Sequence, residues 1–257
     1  MEERQRVSRA EIKERLYRRR YLVPNAVTVG NMFCGFLSII YASSGRFEKA
    51  AVAIIFALLL DGLDGRVARK LNATSKFGVE FDSFSDLISF GVAPGILMYN
   101  WAFKAQADEF GVLVTFIYAI CAASRLARFN IMQENLKSFL GLPSPGAAGV
   151  IAAFVNYMPI TEQTKPLAAV SAVVLVLTGY LMVSKIQFLS IKTLRISGLR
   201  LFARIGIATL IAVTWYDFKT GLLVLAVAYA LSGPLSLLRR SKTTEKKVTE
   251  LETPRPI

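Results

Sequence analysis

Residues 50–86 read AAVAIIFALLLDGLDGRVARKLNATSKFGVEFDSFSD. The stretch begins with the uncharged run 50–60, then breaks into Asp61-Gly62-Leu63-Asp64-Gly65-Arg66-Val67-Ala68-Arg69, followed by Gly78, Asp82 and Asp86. Asp61 and Asp64 therefore sit at or near membrane depth, where ionised carboxylates are costly and usually have a functional partner. On a helix, residues three or four apart share a face. Asp61 and Asp64 point one way from the helix that ends here, and Asp82 and Asp86 do the same from the helix that follows. A short turn makes these helices antiparallel neighbours, so the four carboxylates can converge into an all-oxygen site. Such donors suit Mg²⁺ or Mn²⁺. Four carboxylates around one ion leave negative charge uncompensated, which favours two ions, or one ion plus a basic neighbour such as Arg69.

Composition sets the surroundings of this motif. The chain has 257 residues, 54% of them hydrophobic, and a mean hydropathy of +0.46. That is too apolar for an ordinary soluble domain and long enough for a multi-span bundle. The expected fold is all-α, a polytopic transmembrane helix bundle of about eight spans near 24–43, 48–69, 83–103, 110–129, 146–160, 167–184, 201–217 and 220–237. With both termini cytoplasmic, only Arg46, Lys49, Lys104, Lys165 and Lys219 among the basic residues fall in outside loops. The remainder lie on the cytoplasmic side, the positive-inside asymmetry, and the aspartate motif lies there too. The net charge of +13 thus faces anionic membrane lipids. Nucleic-acid binding is excluded by the lack of a basic groove with interleaved aromatics.

Three regions are expected: a cytoplasmic juxtamembrane segment 1–22, a transmembrane catalytic domain 23–238 and a disordered cytoplasmic tail 239–257. In the first, Val7, Ile12, Leu16 and Tyr17 fall near one helix face beside Arg18, Arg19 and Arg20, the pattern of an interfacial helix; a solvated basic tail is the alternative. The charged N-terminus lacks the short apolar core of a signal peptide, so the whole chain is taken as mature. Pro24-Asn25 opens the first span, and Asn25, Thr28 and Asn31 either face a cytoplasmic-side pocket or hydrogen-bond a neighbouring helix. Gly91-Val92-Ala93-Pro94-Gly95 predicts close helix approach and a kink. Arg125 and Arg128 share a face at the end of the fourth span, either as snorkelling anchors or as anion-binding groups at the pocket mouth. Residues Lys185 to Arg204 read as a cytoplasmic interfacial segment. Cys34 and Cys121, both within spans, are expected as core residues without a disulfide.

Carboxylate-bound Mg²⁺ keeps open positions for substrate phosphates and neutralises the charge that develops as a phosphoanhydride breaks. Phosphoryl chemistry is therefore the natural class. Gly62, Gly65, Ala68 and Gly78 supply positions without bulk where a phosphate or nucleotide can approach the backbone. The chain contains no histidine, so a general base must come from elsewhere, and Asp86 is the expected one. Pairing of the aspartates with Arg66, Arg69, Lys70 and Lys76 alone does not explain four of them in this arrangement, and an EF-hand would place its ligands within one twelve-residue loop.

The run Asp61 to Asp86 resembles throughout the signature of the CDP-alcohol phosphatidyltransferases: aspartate-x-x-aspartate-glycine-x-x-alanine-arginine, eight residues, glycine-x-x-x-aspartate-x-x-x-aspartate. The resemblance implies an all-helical membrane enzyme, usually a homodimer with a six-helix core, that displaces CMP from a CDP-linked lipid with an alcohol. By the same resemblance Asp61, Asp64, Asp82 and Asp86 hold the divalent metals, Asp86 activates the acceptor hydroxyl, and Gly65, Ala68, Arg69 and Gly78 shape the CDP site. Ser85 to Pro94, Arg125 to Asn130 and Gly141 to Pro145 are similar to the membrane-bound phosphatidylserine synthase branch, which implies CDP-diacylglycerol and L-serine as substrates. Arg125 and Arg128, with Lys185, would then recognise the serine carboxylate or a phosphate. The alternatives are another acceptor, glycerol 3-phosphate or inositol phosphate, a transporter that uses the acidic cluster, or a purely structural bundle.

Overall fold

The computed structural model describes residues 9–70, 75–105, 108–132, 141–160, 162–186 and 217–234, with side chains from Asn25 onward except Asp64, 67–70, Lys76, Asp108 and Met132. Among the described residues there is helix and no strand. Helix α1 spans Arg9–Ser43, α2 Phe47–Lys70 and α3 Lys76–Asp86. A π-helical segment, π1 (Leu87–Val92), leads into α4 (Ala93–Met98) and a second, π2 (Tyr99–Phe103). Helices α5 (Asp108–Met132), α6 (Ser144–Tyr157) and α7 (Lys165–Val183) follow, and α8 covers Phe218–Pro234.

Local sequence accounts for the joints. Gly45, at φ 72°, ends α1: its N–H donates to Ala42 O at 3.1 Å and that of Arg46 to Tyr41 O at 2.8 Å. A glycine in the left-handed region satisfies the last carbonyls in this way. Ser75 caps α3, its Oγ accepting from the Gly78 N–H at 3.0 Å, as N-cap serines do. Pro94 has no N–H to give to the Phe90 carbonyl four residues back. The Tyr118 hydroxyl on α5 donates to that carbonyl instead, at 2.9 Å, so the expected disturbance at Gly91 to Gly95 takes the form of a π turn with its freed acceptor satisfied. The close approach expected there is present: a Cβ on Gly91 would lie 3.2 Å from Ala122 Cβ, and one on Gly95 2.9 Å from Thr115 Cγ2.

Helix α1 packs chiefly along α2, α5 along α7, and α2 also against α6. Trp101, Phe90, Phe103, Leu97, Met98, Tyr118, Ile151 and Leu175 are fully buried between these layers. Cys34 and Cys121 are free thiols packed at the edge of that core. The outward faces carry exposed large apolar side chains, such as Phe33 and Phe36 on α1, Phe116 and Ile120 on α5, and Val173 and Leu177 on α7. An exposed apolar belt of this extent suits lipid.

Among the described residues, three helices are long and apolar enough to cross a membrane: Asn25–Ser43, Glu109–Ile131 and Lys165–Val183. They correspond to the expected spans 24–43, 110–129 and 167–184. Helix α2 is long enough, but Glu48, Lys49, Asp61, Asp64 and Arg66 interrupt its apolar run. The region 83–103 is divided between α and π segments, α6 has 14 residues, and α8 is a shorter apolar helix. The expected span 201–217 lies outside the described residues but for Asp217, and the segment from Gln187 to Arg204 and the tail 239–257 lie wholly outside them. Segment 1–22 is described by its backbone from Arg9, where α1 already runs continuously into the first span.

The bundle has two distinct polar ends. At one, Lys219 on α8 pairs with Glu48 on α2 at 2.6 Å, Gln163 Nε2 donates to Asn100 O at 2.7 Å, and Trp101 Nε1 donates to Met158 O at 3.0 Å. The end of α2, the start of α6 and the end of α7 meet at the other, where the aspartates lie.

Candidate metal and substrate site

Asp61 on α2 and Asp82 and Asp86 on α3 are brought together: one carboxylate oxygen from each lies within 4.8 Å of the others, and all three residues are half-buried. The side chain of Asp64 lies outside the described ones; its backbone is one helical turn beyond Asp61 on α2. The spacing of four between Asp82 and Asp86 puts both on one face of α3, a helix that packs against α1.

Two serines lock that face in register. Ser85 Oγ donates to Thr28 O at 3.1 Å and Ser89 Oγ to Asn31 O at 3.0 Å. Gly35 makes the approach possible, because a Cβ there would lie 2.5 Å from Ser89 Oγ. The fully buried Asn31 then donates from Nδ2 to Asp86 Oδ1 at 3.4 Å. Asn31 therefore does hydrogen-bond a neighbouring helix, and its partner is a residue of the site. Thr28 is buried beside it. Asn25 is half-buried, and its amide oxygen lies 3.5 Å from where a Gly78 Cβ would stand.

Asp82 Oδ1 is buried with no hydrogen-bond partner, and burial raises the pKa of the Asp82 carboxyl from its ordinary value. Clustered carboxylates are stable only when a proton or a cation offsets their repulsion. An orphaned buried oxygen among three converging carboxylates is a good fit to a hard divalent cation, which takes oxygen donors. The face beyond them is open, since a Cβ on Gly62 or Gly65 would meet nothing within 4 Å. The side chains of Ala68 and Arg69 lie outside the described ones.

Arg125 on α5 is half-buried at the same end, and its charge acts on both Asp86 and Asp61. Its Nη1 donates to Ser144 Oγ, the first residue of α6, at 2.8 Å, while Nε is buried without a partner. Arg128, one turn on, donates to Val183 O at the end of α7 at 3.0 Å. The same helix end is tied to the turn before α6: the Gly141 N–H donates to Ile186 O at 2.8 Å and that of Leu142 to Leu181 O at 2.9 Å. Lys185 is exposed just beyond α7. On the far side of α3, Asn130 Nδ2 donates to Ser83 Oγ at 2.9 Å, bracing α5 against the helix that carries Asp82 and Asp86. Sequence reasoning did not assign Ser144, Ser83 or Asn130 to this region. Ser144 and Asn130 lie in motifs that were legible, but their partners are set by packing.

The profile of the CDP-alcohol phosphatidyltransferase family matches residues 21–184. A CDP-diacylglycerol–serine O-phosphatidyltransferase of Helicobacter pylori (strain ATCC 700392 / 26695) is 42% identical over 180 residues, 68% of this chain and 75% of that protein. One from Bacillus subtilis (strain 168) is 42% identical over 168 residues, 65% of this chain and 89% of that protein. An archaetidylserine synthase of Methanothermobacter thermautotrophicus is 36% identical over 168 residues, 65% of this chain and 69% of that protein.

Proposed function

Because the chain belongs to the CDP-alcohol phosphatidyltransferase family, we propose that it transfers the phosphatidyl group of CDP-diacylglycerol to the hydroxyl of L-serine, forming phosphatidylserine and releasing CMP. The observation that carries this reading is the convergence of Asp61, Asp82 and Asp86 in a chain whose bacterial and archaeal relatives share serine in their names.

Asp61, Asp64, Asp82 and Asp86 hold one or two Mg²⁺ or Mn²⁺ ions. When bound, such an ion offsets the charge that builds on the pyrophosphate as it breaks. Gly65, Ala68, Arg69 and Gly78 admit the CDP moiety over the open end of α2, with Asn25 and Thr28 behind it. Asp86 accepts the proton of the serine hydroxyl as its oxygen bonds to the lipid-side phosphorus, and the phosphoanhydride bond breaks with its electron pair leaving on CMP. Asn31 donates to Asp86 Oδ1 and so orients the carboxylate. Arg125 and Arg128, with Lys185, recognise the serine carboxylate through charge-assisted hydrogen bonds. The full domain is a bundle of about eight spans that works as a homodimer, with its termini and its active site on the cytoplasmic side.

The test is CMP release from CDP-diacylglycerol by the purified protein in detergent with Mg²⁺ or Mn²⁺, comparing serine, glycerol 3-phosphate, inositol and inositol phosphate. Serine-dependent release that a chelator stops is the expected result. Release with another acceptor alone would overturn the serine assignment and keep the chemistry; no release with any acceptor would overturn both.

A further inference from the structure

At about 100° per residue, the side chains of α3 divide into four directions. Asp82 and Asp86 share one, and Phe77, Phe81 and Phe84 share the opposite one, where Phe77 and Phe84 are exposed. Ser85 lies on one flank of the acidic face, and together with Ser89 in π1 it is tied to α1 through the Thr28 and Asn31 carbonyls. Ser83 lies on the other flank, and its partner is Asn130 at the end of α5: Nδ2 donates to Ser83 Oγ at 2.9 Å and stands 3.5 Å from Glu80 Oε2. Ser83 Oγ in turn donates to Val79 O at 3.0 Å, and Asn130 Oδ1 lies 3.2 Å from the same hydroxyl. The end of α5 is itself a fixed point, since Arg125 Nη1 donates to Ser144 Oγ and Arg128 Nη1 to Val183 O.

We propose that Asn130 is a positioning residue for the metal ligands of α3: its bond to Ser83 fixes the rotation of that helix, and so the distance from Asp82 and Asp86 to Asp61 on α2. This rests on the metal reading above. A tie on one flank alone leaves a helix free to roll about that seam, and the exposed phenylalanine face gives no purchase against rolling. A carboxylate stands about 5 Å from the axis of its helix, so a roll of about 10° moves it by about 1 Å, several times the tolerance of about 0.2 Å in metal–ligand distances. Asp82 is the more sensitive of the two. Asn31 donates to Asp86, whereas Asp82 Oδ1 has no hydrogen-bond partner, so its place is set by the helix that carries it.

The test uses the full chain in detergent and reads metal binding apart from turnover, as the rise in thermal midpoint on titration with Mn²⁺. Asn130→Ala and Ser83→Ala each remove one side of the tie and leave every aspartate in place. Each is expected to weaken Mn²⁺ binding about fivefold, the worth of one neutral hydrogen bond, and the double variant no more than either alone, because both remove the same bond. CMP release should show the same shift in the Mn²⁺ concentration for half-maximal rate, with the serine KM at saturating Mn²⁺ unchanged. A lower midpoint without metal but an unchanged Mn²⁺ affinity would make the tie purely structural and overturn the assignment. Effects of the two substitutions that add would overturn it too, as would a serine KM raised at saturating Mn²⁺, which would make Asn130 a substrate contact. A wild-type protein whose midpoint Mn²⁺ does not move would overturn the metal reading and this role with it, and that outcome is visible before any variant is compared.

Discussion

Asp86 is the most constrained carboxylate of the site: Asn31 donates to it, the Arg125 charge acts on it, and Asp61 and Asp82 crowd it. Asp86→Asn keeps the shape and removes the base, so CMP release should fall by about 10²- to 10⁴-fold while the protein still elutes as a folded species. Asn31→Ala leaves Asp86 ionisable but unanchored, and a smaller loss of about tenfold is expected from the missing hydrogen bond. The orphaned Asp82 Oδ1 leads to a prediction that does not depend on turnover. Mg²⁺ or Mn²⁺ should raise the thermal midpoint of the wild-type protein, since a ligand bound only to the folded state stabilises it, and should raise that of Asp82→Asn much less. The four aspartates were legible because their i, i+3 and i, i+4 spacing is local. Asn31 was legible only as a polar residue in a span, and its partner was not.

At the scale of elements, the site depends on how closely α1 lies against α3 and π1. Gly35 is the contact that allows it, with a Cβ there meeting both Ser89 Oγ and, at 2.7 Å, Ser89 Cα. Alanine favours a helix over glycine by about 1 kcal/mol, but overpacking against backbone costs about 1–3 kcal/mol. Gly35→Ala should therefore lower the thermal midpoint, and CMP release should fall with it as the Ser85 and Ser89 ties to α1 loosen. A midpoint equal to or above wild type would show that α3 can move aside. The helices themselves were readable from their apolar runs, and a disturbance near Pro94 from its missing N–H. The π geometry was not, because the hydroxyl that satisfies Phe90 O comes from Tyr118 on another helix.

Across the whole molecule, the two polar ends give a test of the proposed orientation. In a Cys34→Ala/Cys121→Ala background, Ser44→Cys lies on the exposed turn between α1 and α2, and Arg66→Cys is exposed at the aspartate end of α2. A membrane-impermeant thiol reagent should label the first from outside intact cells and the second only after permeabilisation; the reverse pattern would place the active site outside. The sequence by itself determined the all-helical class and the membrane setting, and it marked the acidic cluster on which the metal proposal rests. Composition, apolar run length and residue spacing along one helix are local properties, and each is sufficient for the inference drawn from it. Only the tertiary structure decided which further helices meet those of the aspartates. Asn31 reaches Asp86 across 55 residues of chain, and Arg128 reaches Val183 across the same separation. Contacts of that range follow from where glycines let helices approach and which polar groups burial forces to pair, and no local pattern in the chain encodes them.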